Sequence, residues 1–173
     1  MPVHWLLLCL LFLAHGAAAG EFVGRVVKIQ DGDSLTVLVS RKQIKVRLTE
    51  IDSPERDQPF YTRSRQSLGD MCGEKNARVI EQGEDRYGRT LGRVYCAGVD
   101  VNAEQVRRGM AWVFDRYVTD MSLHSVQDEA RIARRGLWAD AGPIPPWEWR
   151  QAKKRGEVES RSKSGAGAST LVR

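Results

Sequence analysis

Apolar and polar positions alternate in five short stretches of this chain and recur at helical spacing in three others. Residues 22–29 (FVGRVVKI) and 34–39 (SLTVLV) are β-branched runs on either side of Gln30-Asp31-Gly32-Asp33. Asp-Gly between such runs signals a tight turn, so they predict a hairpin. Residues 43–51 place Ile44, Val46 and Leu48 on one face and Lys45, Arg47 and Thr49 on the other, the period of a strand buried on one side. Residues 76–82 and 90–96 read as two further strands across a polar loop, 83–89.

The spacing predicts helices over 59–71, 102–110 and 122–135. The first has Pro59 near its start and Gly73 near its end. Asn102 is the N-cap candidate of the second, which carries Val106 and Met110 four apart. The third lines up Leu123, Val126, Ala130 and Ala133, with Gly136 as its C-cap. Together these elements predict a β-rich α+β domain, a five-stranded closed barrel of the OB type with about three helices packed on it. Residues 143–149 (PIPPWEW) carry too much proline to continue a helix. They are expected to lie across the body with their tryptophan rings buried.

The two ends of the chain differ from its middle. Residues 1–19 have no Asp, Glu, Lys or Arg, and residues 5–13 (WLLLCLLFL) are all apolar. That run falls short of the ~20 residues that span a bilayer. With Ala17-Ala18-Ala19 behind it, it predicts a secretory signal cleaved near Ala19, the other reading being a buried core helix. The mature protein is then expected in the periplasm or outside the cell, without a membrane anchor and as a monomer. Residues 151–173 hold 6 basic and 2 acidic side chains, whereas residues 20–150 hold 21 and 20. The net charge of +5 therefore belongs mostly to the end of the chain. Residues 151–173 are expected to form a basic disordered tail, either merely solubilising or holding nucleic acid by counterion release. Residues 20–150 form the expected folded domain.

Cleavage near Ala19 removes Cys9 and leaves Cys72 and Cys96. In an oxidising compartment these are a disulfide candidate, closing a loop worth ~3 kcal/mol in the chain-entropy model; two separate buried thiols are the alternative. Of three histidines, His4 and His15 lie in the signal and only His124 remains. Chemistry that needs two histidines is excluded, and two Cys with one distant His do not make a tetrahedral zinc set.

Carboxylates supply the candidate chemistry. Asp31 and Asp33 flank Gly32, and Glu50, Asp52, Glu55 and Asp57 follow. If the strands before Asp33 and Asp52 are neighbours, the two side chains converge. Clustered carboxylates repel unless a cation joins them, and a hard divalent ion with oxygen ligands such as Ca²⁺ is the natural solution. A solvated acidic rim is the plain alternative. Arg47 and Arg89 turn the reading towards an anionic target such as phosphate.

The ordered set Asp31-Gly32-Asp33-Ser34, Val46-Arg47-Leu48, Ile51-Asp52-Ser53-Pro54-Glu55, Asp85-Arg86-Tyr87-Gly88-Arg89, Val101-Asn102, Gln105 to Ala111 and Gly136-Leu137-Trp138 resembles the staphylococcal nuclease family over roughly residues 22–140. Pro145 to Arg150 resembles the ending of its exported bacterial branch. The resemblance implies an OB-fold barrel and Ca²⁺-dependent hydrolysis of DNA and RNA at the 5′ P–O bond, leaving 3′-phosphates. By motif position, Asp33, Asp52 and the Ser53 carbonyl are the implied metal ligands, and Asp31 is an acid beside them. Glu55 is the implied acid that deprotonates or orients water, and Arg47 and Arg89 are the implied phosphate clamps. Tyr87 and Tyr117 are candidate base-stacking rings, matched more loosely. A non-catalytic OB-fold module that binds nucleic acid, or a structural domain of the cell envelope, would use the same fold without this chemistry.

Overall fold

The computed structural model describes residues 20–156. The expected signal, residues 1–19, and residues 157–173 of the expected tail lie outside the described residues. Five long strands carry the fold: β1 (Glu21–Ile29), β2 (Ser34–Val39), β3 (Lys42–Leu48), β5 (Asn76–Glu84) and β6 (Thr90–Cys96). Three two-residue strands join them: β4 (Ile51–Asp52), β7 (Val99–Asp100) and β8 (Trp112–Val113). The helices are α1 (Tyr61–Cys72), α2 (Val101–Arg107), α3 (Ser122–Ile132) and α4 (Pro146–Lys154), with a 3-10 turn at Gly136–Ala139.

The long strands run in the order β3-β2-β1-β5-β6, and parallel pairing of β3 with β6 closes them into a barrel. The alternating pattern explains the interior. Val26, Leu35, Val37, Val46, Leu48, Val79 and Val94 point inward and are fully buried, and on β2 Ser34 and Thr36 are buried as well. Leu68 and Met71 of α1, Val106 of α2 and Leu123 of α3 cover the same core. This is the expected OB-fold barrel, with four helices among the described residues where about three were expected. Cys72, at the end of α1, is bonded to Cys96, at the end of β6, which ties that helix to the barrel wall.

Four local expectations are corrected. The strand expected over 43–51 stops at Leu48, because Glu50 takes a left-handed conformation (φ 67°). The chain then resumes as β4, which leaves the barrel and pairs with β8. Asn102 does not cap α2. Asp100 does, accepting from Ala103 N, while the Asn102 amide is buried and bonded to Val94 N and Thr49 O. Helix α3 ends at Ile132, and Ala133 is exposed. Gly136 instead sits at φ 54° where its chain crosses residues 108–109, and a Cβ there would come within 2.2 Å of Gly109 O.

The fourth correction bears on the site. Residues 143–149 do not rule out a helix: α4 begins at Pro146 and runs to Lys154, past the point where the disordered tail was expected. Proline is tolerated in the first helical turn, where its missing N–H has no helical partner. Trp147 and Trp149 are half-buried rather than buried. Trp147 stacks on Phe114 at 5.3 Å, and Trp149 lines a small apolar recess with Pro59, Phe60, Trp112 and Leu137.

Candidate active site

Two irregular connections bring the acidic residues together. The turn after β1 carries Asp31 and Asp33, with Asp33 N donating to Asp31 Oδ1 at 3.0 Å. Gly32 is required there, since a Cβ would lie 1.8 Å from Ser64 Oγ. Strand β4 carries Asp52, and the next residue, Ser53, donates its N–H to Asp33 Oδ2 at 2.6 Å. So Asp33 and Asp52, nineteen positions apart in the chain, meet across one peptide.

Arg47, near the end of β3, joins them. Its Nη1 lies 3.2 Å from Asp33 Oδ2 and its Nη2 lies 3.0 Å from Asp52 Oδ1. Nη1 also donates to the carbonyls of Leu48 and Ile51, so the guanidinium is fixed by the chain turn that makes β4. All of this lies in a cleft of about 1100 Å³ whose walls also carry Glu55, Tyr87, Arg89, Tyr117 and Arg150. Arg89 is held from the loop between β5 and β6 by Asp85, with Nε to Oδ2 at 2.7 Å, and reaches Ser34 Oγ at 3.4 Å. Ser34 Oγ donates in turn to Asp33 Oδ1, which links the second arginine to the carboxylates.

The charges in the cleft are unbalanced. Burial first, and then the Asp33 charge and a hydrogen bond shared with Asp33, push the Asp31 carboxyl up to about 7. Burial works against the charge on Asp33 as well, but Arg47 and the hydrogen bonds from Asp31 and Ser53 outweigh it and lower its pKa. Asp52 is raised by burial and by Asp33, despite Arg150 and Arg47. A buried carboxyl that holds its proton near neutrality marks a place where one more positive charge would be stabilising.

Among the described residues, no three acidic, histidine or cysteine side chains converge into a ready-made cage. A cation here would take two carboxylates, with backbone carbonyl and water as further donors. That oxygen-only set suits a hard ion and no soft one.

The Asp31 shift sets a pH dependence for the metal-free protein. Its folded pKa lies above the unfolded value of 3.8, so the folded state binds more protons between the two. Stability therefore falls as pH rises from about 4 to 7 and is level above that. The shift alone corresponds to about 4 kcal/mol; the raised Asp52 adds to the decline, and the lowered Asp33 acts only below its unfolded value of 3.8, outside this window. Asp31→Asn should remove most of the decline, read as urea midpoints at pH 5 and pH 8 in chelator. An equal decline in both proteins would refute the assignment.

Not every candidate reaches the cleft chemistry. Glu50 accepts at one oxygen from Thr119 N and Oγ1 and from Asp120 N, and at the other from Arg93. Burial opposes its charge, but these bonds prevail and lower its pKa. Its role is to pin the loop that carries Tyr117 to the strand end before Asp52. Asp57 is exposed and paired with Lys153. Tyr87 and Tyr117 are 68% and 57% exposed, with the Arg86 guanidinium 4.8 Å from the Tyr87 ring centre and that of Arg116 5.4 Å from the Tyr117 ring centre.

Sequence reasoning missed Arg150. Its Nη2 donates to Asp52 Oδ2 at 2.8 Å and its Nη1 to Glu55 Oε1 at 2.6 Å. The signal was there: Pro145-Pro146 at a helix start, Glu148 in the first turn and Lys153-Lys154 in the last follow the helix polarity rules.

The fold and site together are an OB barrel with two arginine-bridged carboxylates in a cleft lined by arginines, carboxylates and aromatic rings. The model of the staphylococcal nuclease homologue family matches residues 45–140, and the chain belongs to that family. It is 46% identical over 131 residues to an uncharacterized endonuclease of Escherichia coli, an alignment covering 75% of this chain and 86% of that one. It is 47% identical over 131 residues to another from Haemophilus influenzae, covering 75% and 74%. It is 44% identical over 148 residues to a micrococcal nuclease of Shigella flexneri, covering 79% and 85%.

Proposed function

We propose that this chain is an exported, calcium-dependent nuclease that hydrolyses phosphodiester bonds in DNA and RNA, breaking the 5′ P–O bond and leaving 3′-phosphates. The observation that carries the reading is the bridge of Asp33 and Asp52 by Arg47, with Glu55 and Arg89 on the walls of the same cleft. Asp33, Asp52 and the Ser53 carbonyl are the proposed Ca²⁺ ligands, with Asp31 beside them. Bound there, Ca²⁺ supplies positive charge against a non-bridging phosphate oxygen.

The chain's own groups do the rest. Glu55 accepts a proton from the attacking water, whose oxygen forms the new bond to phosphorus. Arg47 and Arg89 donate to the equatorial oxygens as their negative charge grows. The 5′ oxygen departs with the bonding pair and takes a proton from solvent. Tyr87 and Tyr117 stack on the flanking bases, a sequence-tolerant contact because every base has a π-face.

The Cys72–Cys96 bond supports work outside the reducing cytosol. Among the described residues, no helix is long and apolar enough to cross a membrane.

The test is digestion of plasmid DNA and of RNA by the mature protein, with Ca²⁺ and with EDTA, followed by analysis of the new ends. Cleavage with Ca²⁺, its loss in EDTA and 3′-phosphate ends are the expected results. New 5′-phosphates would overturn the bond assignment. Binding without cleavage in Ca²⁺, Mg²⁺ or Mn²⁺ would make the chain a binding module.

A further inference from the structure

We propose that Arg150 is a positioning residue of this reaction: the C-terminal helix delivers its guanidinium between Asp52 and Glu55 and aims the Glu55 carboxylate at the attacking water. The inference rests on the function proposed above. Glu55 sits on an irregular connection, residues 53–60, with its side chain 40% exposed. Such a carboxylate samples many rotamers unless a partner holds it. Among the described residues, Arg150 is the one hydrogen-bonding partner of the Glu55 carboxylate, at 2.6 Å. The same guanidinium spans Asp52, with Nη2 to Oδ2 at 2.8 Å and Nη1 to Oδ1 at 3.3 Å. A planar fork with fixed donors holds two carboxylates at a set separation, which a lysine ammonium cannot do.

Helix α4 is fastened to the Glu55 connection at both ends. Gln58 Nε2 donates to Ile144 O before the helix, and Lys153 Nζ pairs with Asp57 Oδ2 at 2.6 Å near its end. Trp147 stacks on Phe114, whose N–H donates to Glu50 O in the turn that leads to Asp52. The helix therefore grips both segments that Arg150 bridges. It supplies from the far end of the domain the rigidity that the short Glu55 connection lacks.

A double-mutant cycle on Arg150 and Glu55 tests this, with kcat and KM measured on an oligonucleotide at saturating Ca²⁺. Arg150→Gln is expected to lower kcat by about 10–100-fold with KM within about threefold. In a Glu55→Gln background, the same change should cost less than about twofold, because no base is left for Arg150 to aim. Arg150→Lys should recover only part of the rate, and it also serves if the glutamine variant fails to fold.

Calorimetry gives a readout without turnover. Arg150→Gln should bind Ca²⁺ about three- to tenfold more tightly, since a positive charge has left Asp52. Weaker Ca²⁺ binding with a lower melting temperature would reduce Arg150 to a structural role and overturn the proposal. So would a raised KM at unchanged kcat, or an equal loss in both backgrounds. If Glu55→Gln itself keeps full activity, the function proposed for Glu55 fails. If Glu55→Gln is inactive while Arg150→Gln is not, only the positioning role fails.

Discussion

Replacing Arg47 with alanine is expected to lower kcat by about 10²–10³-fold and to cost the metal-free protein about 3 kcal/mol of stability. The two losses have different causes. The Arg47 side chain is only 14% exposed, and the carboxylates it joins, Asp33 and Asp52, are 7% and 4% exposed. Removing one partner from a buried pair leaves charge without compensation, a change that costs ~3–5 kcal/mol. Arg150 remains on Asp52, which puts the loss at the lower end. The catalytic loss follows from the role proposed for Arg47, N–H donors where phosphate charge develops.

Two controls separate these terms. Saturating Ca²⁺ should restore most of the stability of Arg47→Ala, because the cation replaces the missing positive charge, and should leave the rate low. Arg47→Lys should likewise keep much of the stability and little of the rate. Its single ammonium cannot reach two carboxylates and the carbonyls of Leu48 and Ile51 together. Denaturation midpoints with and without Ca²⁺, beside kcat for each variant, check both. If Ca²⁺ restores rate and stability together, Arg47 only organises the carboxylates and does not touch the phosphate.

How much of this was legible in the chain follows from where each signal resides. The barrel strands are period-two patterns where the signal is clean: Val46 falls inside between Lys45 and Arg47, and Val94 between Arg93 and Tyr95. The meeting of Asp33 with Asp52 was legible as a condition, that the strands before them be neighbours, and as a motif resemblance. It depends on the left-handed Glu50 and on β4 leaving the barrel, and neither has a local signal, since Glu is no preferred left-handed residue. Asn102 misled because its type suits a helix cap, while tertiary hydrogen bonds claimed its amide. Arg150 was lost to the proline-rich run before it. Two prolines mark either a break or a helix start; Glu148, Lys153 and Lys154 favour the start, and the contacts of Trp147 and Trp149 fix it. The contact between Arg150 and Glu55 also spans 95 positions, beyond the reach of any local pattern.

Glu55→Gln is expected to slow kcat by about 10²–10⁴-fold, the range for loss of a general base, with DNA affinity and Ca²⁺ affinity within about threefold. It should leave the fold intact. The Glu55 side chain is 40% exposed, so no buried charge is stranded, and a glutamine oxygen still accepts from Arg150. Its backbone contacts also survive, with the N–H donating to Gln58 Oε1 and the carbonyl accepting from Gln58 N. A stability change within about 0.5 kcal/mol is therefore the companion expectation, in contrast with Arg47→Ala. The amide cannot take a proton at any working pH, so the variant must draw its nucleophile from solvent hydroxide. Its residual rate should climb about tenfold per pH unit over pH 7–9, while the native rate climbs less steeply. Single-turnover cleavage of an end-labelled oligonucleotide across that range reads both the loss and the slope. A Glu55→Gln rate within about tenfold of the native one, or two profiles of equal slope, would remove Glu55 from the proton transfer and leave it a water-orienting group.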